Sequence, residues 1–302
     1  MKTTAGPSTS GTPVSGERIG LGIACAIIGF LGITVMDASA KLLGEGYAIS
    51  QIVLARNGVG ALVILAFALM RGGRRTLLRP RRFGLLTLRI IFSLGAGFLF
   101  FTSLRYLPLA DAFTIAFTGP LFITALSVPI LGEHVGLRRW AAVVIGFLGV
   151  LVVMQPGTDS FRIEALLTLG AALCYAFTML VSRKMTREMT TSAIMFWSCL
   201  GAALATLIMM PSQWRTPEPF DLMLFIILGA VGTLGMSLVT QGYRYAPAAV
   251  IAPFDYFSLL WATILGWVIW RDVPEPHVWL GSFILIASGL YILHRETRRS
   301  ST

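Results

Sequence analysis

The chain has 302 residues, of which 56% are hydrophobic and 13% charged, with a mean hydropathy of +0.78. That balance excludes a solvated globular surface. The formal charge of +10 does not point to nucleic acid, because the 24 basic residues are divided among short segments between apolar stretches and not gathered on one face. Cys25, Cys174 and Cys199 all lie inside apolar runs, so they read as core thiols and exclude a disulfide-stapled scaffold.

Residues 1–17 are rich in Ser, Thr, Gly and Pro without apolar periodicity and are expected to be a disordered arm. Ten stretches of roughly 18 to 24 mainly apolar residues follow, each long enough at about 1.5 Å per residue to cross a hydrocarbon core about 30 Å thick. The first five run from Ile19 to Asp37, Ile49 to Met70, Phe83 to Leu104, Pro108 to Leu131 and Leu137 to Met154. The second five run from Ile163 to Val181, Thr191 to Met210, Phe220 to Gly242, Pro247 to Trp270 and Val278 to Leu293, leaving residues 296–302 as a tail. Arg18 ahead of the first stretch and Ala38-Ser39-Ala40 after it imitate a signal peptide, but the apolar run is too long for one. The expected fold is an all-α membrane protein with ten transmembrane helices.

With ten spans both termini share one side, and the basic residues of alternate loops test the count. Seventeen lie on the terminal side, with clusters at Arg71–Arg82, Arg138-Arg139, Arg183-Lys184 and Arg295–Arg299. Five lie on the other side: Lys41, Arg105, Arg162, Arg215 and Arg271. The asymmetry places both termini in the cytoplasm.

A shift of 139 residues aligns Arg105-Tyr106-Leu107-Pro108 with Arg244-Tyr245-Ala246-Pro247, Ala110 with Ala249, Glu133 with Asp272 and Trp140 with Trp279. Each copy holds five spans, residues 18–155 and 160–295. Because five is odd, the second copy enters the membrane in the opposite sense, giving two inverted five-helix repeats. Such halves have nearly equivalent arrangements open to either side, the basis of alternating access. Gly119-Pro120 in the fourth span and Pro253 in the ninth are expected to break their helices as hinges.

This layout resembles the drug/metabolite transporter superfamily, EamA type, from about Ile19 to Arg295. The resemblance rests on the Arg-Tyr-x-Pro starts at Arg105 and Arg244, on Gly132-Glu133 with its counterpart Arg271-Asp272, and on the glycine-rich closing spans ending Gly146-Phe147-Leu148-Gly149-Val150 and Ser288-Gly289-Leu290. It implies an inner-membrane carrier of small metabolites with a cavity between the halves. Met36-Asp37-Ala38 with Lys41, and Ala252-Pro253-Phe254-Asp255-Tyr256, are most similar to the bacterial carriers grouped with S-adenosylmethionine and riboflavin uptake proteins, whose members differ in what they carry.

A charge at the bilayer centre costs about 2.5 to 3.5 kcal/mol, so ionisable residues inside spans mark candidate sites. Asp255 lies roughly 12 Å into the ninth span, where a carboxylate either binds protons, pairs with a cationic group of a substrate, or forms a structural salt bridge with an arginine. Arg56, its neighbour Asn57, and Arg89 lie inside the second and third spans. Pointing inward, the two guanidiniums against one carboxylate would favour a carboxylate-bearing or zwitterionic solute such as an amino acid; pointing outward, they snorkel to the interface. Phe117, which aligns with Tyr256, and the aromatics Tyr175, Phe177 and Trp261 are candidates for stacking on a solute. Asp37 and Asp111 are secondary candidates near span ends, where wetting is the simpler expectation, and Lys41 sits at the i,i+4 spacing for an ion pair with Asp37.

No His-Glu-x-x-His pattern, partnered nucleophile or phosphate loop occurs, so no enzyme activity, metal, cofactor or ATP-driven step is expected. The sequence therefore reads as a secondary carrier with a small-molecule substrate, a lipid surround and protons as the coupling ion. The alternatives are a passive facilitator of the same fold and, more remotely, a membrane-embedded enzyme. Ten spans suffice for a monomer, while the small-residue strip Gly229, Gly232 and Gly235 either packs helices within the chain or pairs two copies in a homodimer.

Overall fold

The computed structural model describes residues 16–70, 82–132, 136–157, 162–186, 188–210 and 214–299, without the side chains of residues 16, 17, 248, 249 and 295–299. Among the described residues ten helices are long and apolar enough to cross a membrane. Spans 1 to 5 are Arg18–Gly44, Ile49–Met70, Phe83–Ser103, Leu109–Leu131 and Leu137–Met154. Spans 6 to 10 are Ala165–Met185, Thr191–Met209, Pro219–Tyr245, Ala252–Trp270 and Pro276–His294. Residues 1–15 of the expected arm and 300–302 of the tail lie outside the described residues, as does Glu133 of the repeat motif; helix is present from Gly16 and to Arg299.

Span 1 departs most from expectation, continuing seven residues past Asp37 to Gly44. A string of polar residues, Asp37, Ser39 and Lys41, marks an end by composition, yet their demands are met inside the bundle. Ser39 Oγ bonds back to the Val35 carbonyl at 2.8 Å, and Lys41 finds acceptors on other spans. Other hydroxyls use the same backward bond, Thr34 to Phe30 in span 1 and Thr206 to Ala202 and Ser198 to Ile194 in span 7 among them, which satisfies a polar group where no water is available.

The helix partnerships carry the repeat. Span 1 packs along span 8 and span 6 along span 3; span 1 touches span 9 and span 6 touches span 4; span 8 meets span 2 and span 3 meets span 7. Adding five to the first pair of each statement gives the second. Spans 2 and 7, 4 and 9, and 5 and 10 pack on their own counterparts. The two halves are thus interleaved.

Local conformation repeats as well. Gly132 closes span 4 with φ 71° and ψ 22°, and Arg271, 139 residues on, closes span 9 with φ 61° and ψ 21°. Both are left-handed caps that turn the chain out of a helix. The Gly229, Gly232 and Gly235 strip is used within the chain: a Cβ on Gly232 would strike Met36, and one on Gly235 would strike the Gly29 carbonyl, so span 8 approaches spans 1 and 2 closely. That surface is not left to pair two copies.

Candidate functional site

Both spans expected to break do so, at equivalent places. In span 4 a helix Leu109–Ala116 stops at Phe117-Thr118 and a second, Gly119–Leu131, restarts with Pro120 in its first turn. In span 9 a short turn Ala248–Ile251 leads into a 3-10 segment, Ala252–Tyr256, holding Pro253, and regular helix resumes at Phe257. A proline has no N–H to give to the carbonyl four residues earlier, so the ladder fails there. The repeat-equivalent residues at the breaks, Phe117 and Tyr256, touch across the halves with ring centroids 5.0 Å apart and planes tilted by 49°.

A cavity of about 190 Å³ lies against this pair. It is lined from span 4 by Phe117, Pro120, Ile123, Thr124 and Ser127, from span 6 by Arg183, from span 9 by Ala252, Asp255 and Tyr256, and from span 10 by Gly289, Leu290, Ile292 and Leu293. Ser127, Arg183 and Leu293 belong to the last turns before the terminal side, so the cavity leads from the two breaks toward that side. Tyr256 reaches its place because residue 289 is glycine: a Cβ there would overlap the phenol oxygen.

Asp255 lines the cavity from the 3-10 segment. Its carboxylate has no arginine, lysine or histidine within electrostatic reach among the described residues, so the structural salt bridge weighed from sequence is not formed. Its neighbours are phenols, those of Tyr175, Tyr243 and Tyr256. Tyr175, in the middle of span 6, packs on the span 4 break, 3.3 Å from where a Cβ on Gly119 would stand. It also interacts with Arg89, which donates from Nε to Ser182 Oγ at 2.7 Å and meets no carboxylate among the described residues. Tyr175 therefore lies within electrostatic reach of both an anion and a cation, neither of which has a counter-charge among the described residues.

Arg56 differs. It points inward, stacked 5.2 Å over the Phe101 ring, and its charge acts on Asp37, which is 5% exposed. Asp37 is thus not a wetted helix end, and the expected balance of two cations to one anion is corrected to two of each. Arg56 and Arg89 both lie within electrostatic reach of Cys199. Asn57 bonds its own helix, donating to the Val53 carbonyl at 2.8 Å. Phe177 stacks on Phe92 at 4.5 Å, and Trp261 has a buried indole N–H without a partner; neither lines the cavity.

The side away from the termini is closed. Lys41 does not pair with Asp37 but donates to the Leu107 carbonyl at 2.9 Å, faces Asp272 at 3.5 Å and lies 4.7 Å over the Trp270 ring. Trp270 ends span 9, which packs on span 1, and Asp272 follows it; this nearer anion displaces the local partner. Tyr47 donates to Asp221 at 2.6 Å, a bond that holds its phenol above the usual range. Gln51 and Arg215 exchange two bonds, Arg105 reaches the Tyr47 carbonyl, and Arg162 reaches that of Tyr106. Every loop on this side is joined. Asp111 lies inside the same group, near Lys41, Asp272, Glu275, His277 and Arg162, with one carboxylate oxygen buried and unbonded, so it too is less wetted than expected. Beneath it the largest buried cluster gathers Leu43, Tyr47, Ile52, Phe101, Leu104, Leu107, Leu109 and Phe113.

Sequence reasoning missed Tyr243, Ser182 and Gly289. Tyr243 and Ser182 are ordinary polar residues of a helical face, and only the fold brings them to Asp255 and Arg89. Gly289 was visible as part of a closing motif, without the contact that requires it.

The model of the EamA-like transporter family matches this chain twice, over residues 20–155 and 162–294. An S-adenosylmethionine uptake transporter of Rickettsia felis is 27% identical, covering 93% of this chain and 95% of its own length. A riboflavin transporter of Vibrio cholerae is 28% identical over 83% and 85%, and a pseudopaline exporter of Pseudomonas aeruginosa is 26% identical over 88% and 94%. A protein of known crystal structure superposes with a TM-score of 0.60 over 92% of this chain and 99% of that one, at 22% identity, a likeness of fold alone.

Proposed function

The chain belongs to the EamA-like transporter family, and from that premise we propose a secondary carrier for a small zwitterionic metabolite, an amino acid or related carboxylate-bearing compound, working by alternating access in the inner membrane. The observation that carries the zwitterion is that Tyr175 lies within electrostatic reach of both Arg89 and Asp255, each without a counter-charge among the described residues. Uncompensated charges of opposite sign in a dry bundle are costly alone, and a solute bearing the complementary pair offsets both. Arg89 takes the carboxylate; Asp255 takes the cationic end, or a proton when the site is empty, which couples flux to the proton gradient.

The sealed loops on one side and the cavity on the other describe one end state of the cycle. With the termini in the cytoplasm, that state faces inward. Relatives named for uptake and for export share the fold, so direction follows gradients and coupling, at about 2.3 kcal/mol per charge per 100 mV.

The test is flux in reconstituted vesicles with imposed pH gradients, over a panel of amino acids, onium compounds, flavins and sugars. Asp255→Asn is expected to abolish proton-driven flux and Asp111→Asn to reduce it mildly. Arg89→Gln should raise KM about tenfold or more for the zwitterion and much less for an analogue lacking the carboxylate. Retained proton-driven flux in Asp255→Asn would reject it as the coupling site, and an absence of gradient dependence in the unaltered protein would favour a passive facilitator.

A further inference from the structure

Two positions that the repeat makes equivalent stand on opposite faces of the bundle. The first two spans of the copies align at a shift of 142 residues, Ser50 with Ser192, which sets Arg183 against Lys41. The packing keeps that register. Ala26 lies 3.6 Å from where a Cβ on Gly242 would stand, between spans 1 and 8, and the equivalents of this pair, Thr168 and Ser103, bond at 2.8 Å between spans 6 and 3. On the closed side, Lys41 donates to the carbonyl of Leu107, the residue before the proline that caps span 4, and lies over Trp270 at the end of span 9. On the open side, Arg183 is in the last turn of span 6 and lines the mouth of the chamber.

Ala246 holds the place of Leu107 in the second copy. Each precedes a proline whose carbonyl accepts from the residue four on, Ala112 to Pro108 at 3.1 Å and Ile251 to Pro247 at 3.2 Å, so the two carbonyls leave similar turns. When two inverted halves exchange roles, the open face must arrive at the contacts the closed face has now. Arg183 then meets Ala246 as Lys41 meets Leu107, with Leu131 in the place of Trp270. A guanidinium shut into that face without an acceptor would be costly, and the carbonyl supplies one. Resting on the carrier reading above, we infer that Arg183 closes the terminal-side face: in the opposite end state it donates to the Ala246 carbonyl and ties span 6 to the start of span 9. The cycle exchanges one such tie for the other.

Two threonines serve as reporters. Thr124 in the chamber and its counterpart Thr263 in span 9 each bond the carbonyl four residues back at 2.9 Å, those of Pro120 and Leu259. In full-length, detergent-purified protein without Cys25, Cys174 and Cys199, a polar maleimide is added to Thr124→Cys or to Thr263→Cys and the labelling rates are compared. Lys41→Met is expected to lower the ratio of the first rate to the second about tenfold, the effect of losing one charge-assisted bond from the inward-facing state. Adding Arg183→Met should restore the ratio, and adding Arg183→Lys, which keeps a donor, should not. The rate at Thr263→Cys is decisive, because trimming a side chain at the chamber mouth has no local route to the far face. If Arg183→Met fails to slow labelling there, or if Lys41→Met leaves the ratio unmoved, the inference is overturned. Asp272→Asn and Arg183→Leu replace either methionine variant that does not fold.

No solute is present, so this reading and the zwitterion cargo fail separately. Zwitterion flux with a ratio indifferent to Arg183 leaves the carrier and removes the gate; a ratio that moves as expected without zwitterion flux keeps the gate and removes the cargo. Faster labelling at Thr263→Cys with no loss at Thr124→Cys means that both faces open together, which overturns alternating access and the gate with it.

Discussion

Gly132 and Arg271 hold one backbone conformation, and they show how a single position carries the repeat. A left-handed cap suits glycine because an L side chain there meets the following carbonyl, at about 1–2 kcal/mol. A Cβ at Gly132 would meet nothing within 4 Å, so Gly132→Ala isolates the backbone term and should destabilise the protein by about 1 kcal/mol, read as a lowered melting temperature in detergent. An unchanged melting temperature would mean that this cap is not held as described. Arg271 tolerates the same conformation while its guanidinium lies 5.3 Å over the Trp267 ring, a contact worth about 0.5–1 kcal/mol at an exposed site. At this scale the sequence was legible where a residue is chemically unusual for its place, as Asp255 and Arg89 are. It was illegible for Lys41, whose local spacing suggests Asp37 but whose partner, Asp272, is set by the packing of span 9 on span 1.

At the level of elements, the broken spans and the closing loops divide the work. Helix breaks at Phe117-Thr118 and across Ala252–Tyr256 place a chamber in the terminal-side half, where Arg82–Glu188 and Arg89–Ser182 also bridge the halves, while a larger set of polar bonds between the halves lies on the other side. Thr168 to Ser103 at 2.8 Å and Thr114 to Ser282 at 3.0 Å add two buried hydroxyl pairs, each worth roughly 0.6 kcal/mol in a membrane interior. If the Lys41 and Asp272 contact must part for the cycle to turn, joining the two positions should stop it. In a background without Cys25, Cys174 and Cys199, oxidising the Lys41→Cys, Asp272→Cys pair is expected to arrest flux while substrate binding from the cavity side persists; reduction should restore flux. Undiminished flux with the crosslink formed would show that this contact stays closed throughout.

For the whole molecule, the exchange of partnerships under addition of five is what alternating access requires, since two interleaved halves of like structure can trade the closed and open faces. Orientation then decides what the cavity faces. The distribution of basic loops predicts that an impermeant thiol reagent added outside intact cells labels a cysteine at Tyr106 and leaves one at Arg82 unlabelled. The reverse pattern would place the termini outside and invert the assignment of the inward-facing state.

The sequence alone determined the ten spans, their division into five and five and the two breaks, because each follows from properties that add along the chain: apolar length, self-similarity, and the missing N–H of proline. It also identified the ionisable residues that a bilayer would not tolerate without a reason. Which of those charges neutralise one another was decided only by tertiary structure. Arg56 and Asp37 stand on different helices, Lys41 and Asp272 on a helix and a distant loop, and a charge pair depends on proximity in space, which spacing along one helix does not give. For the same reason the sequence could name Asp255, Arg89 and Tyr175 singly, and only the packing of spans 3, 6 and 9 made them neighbours.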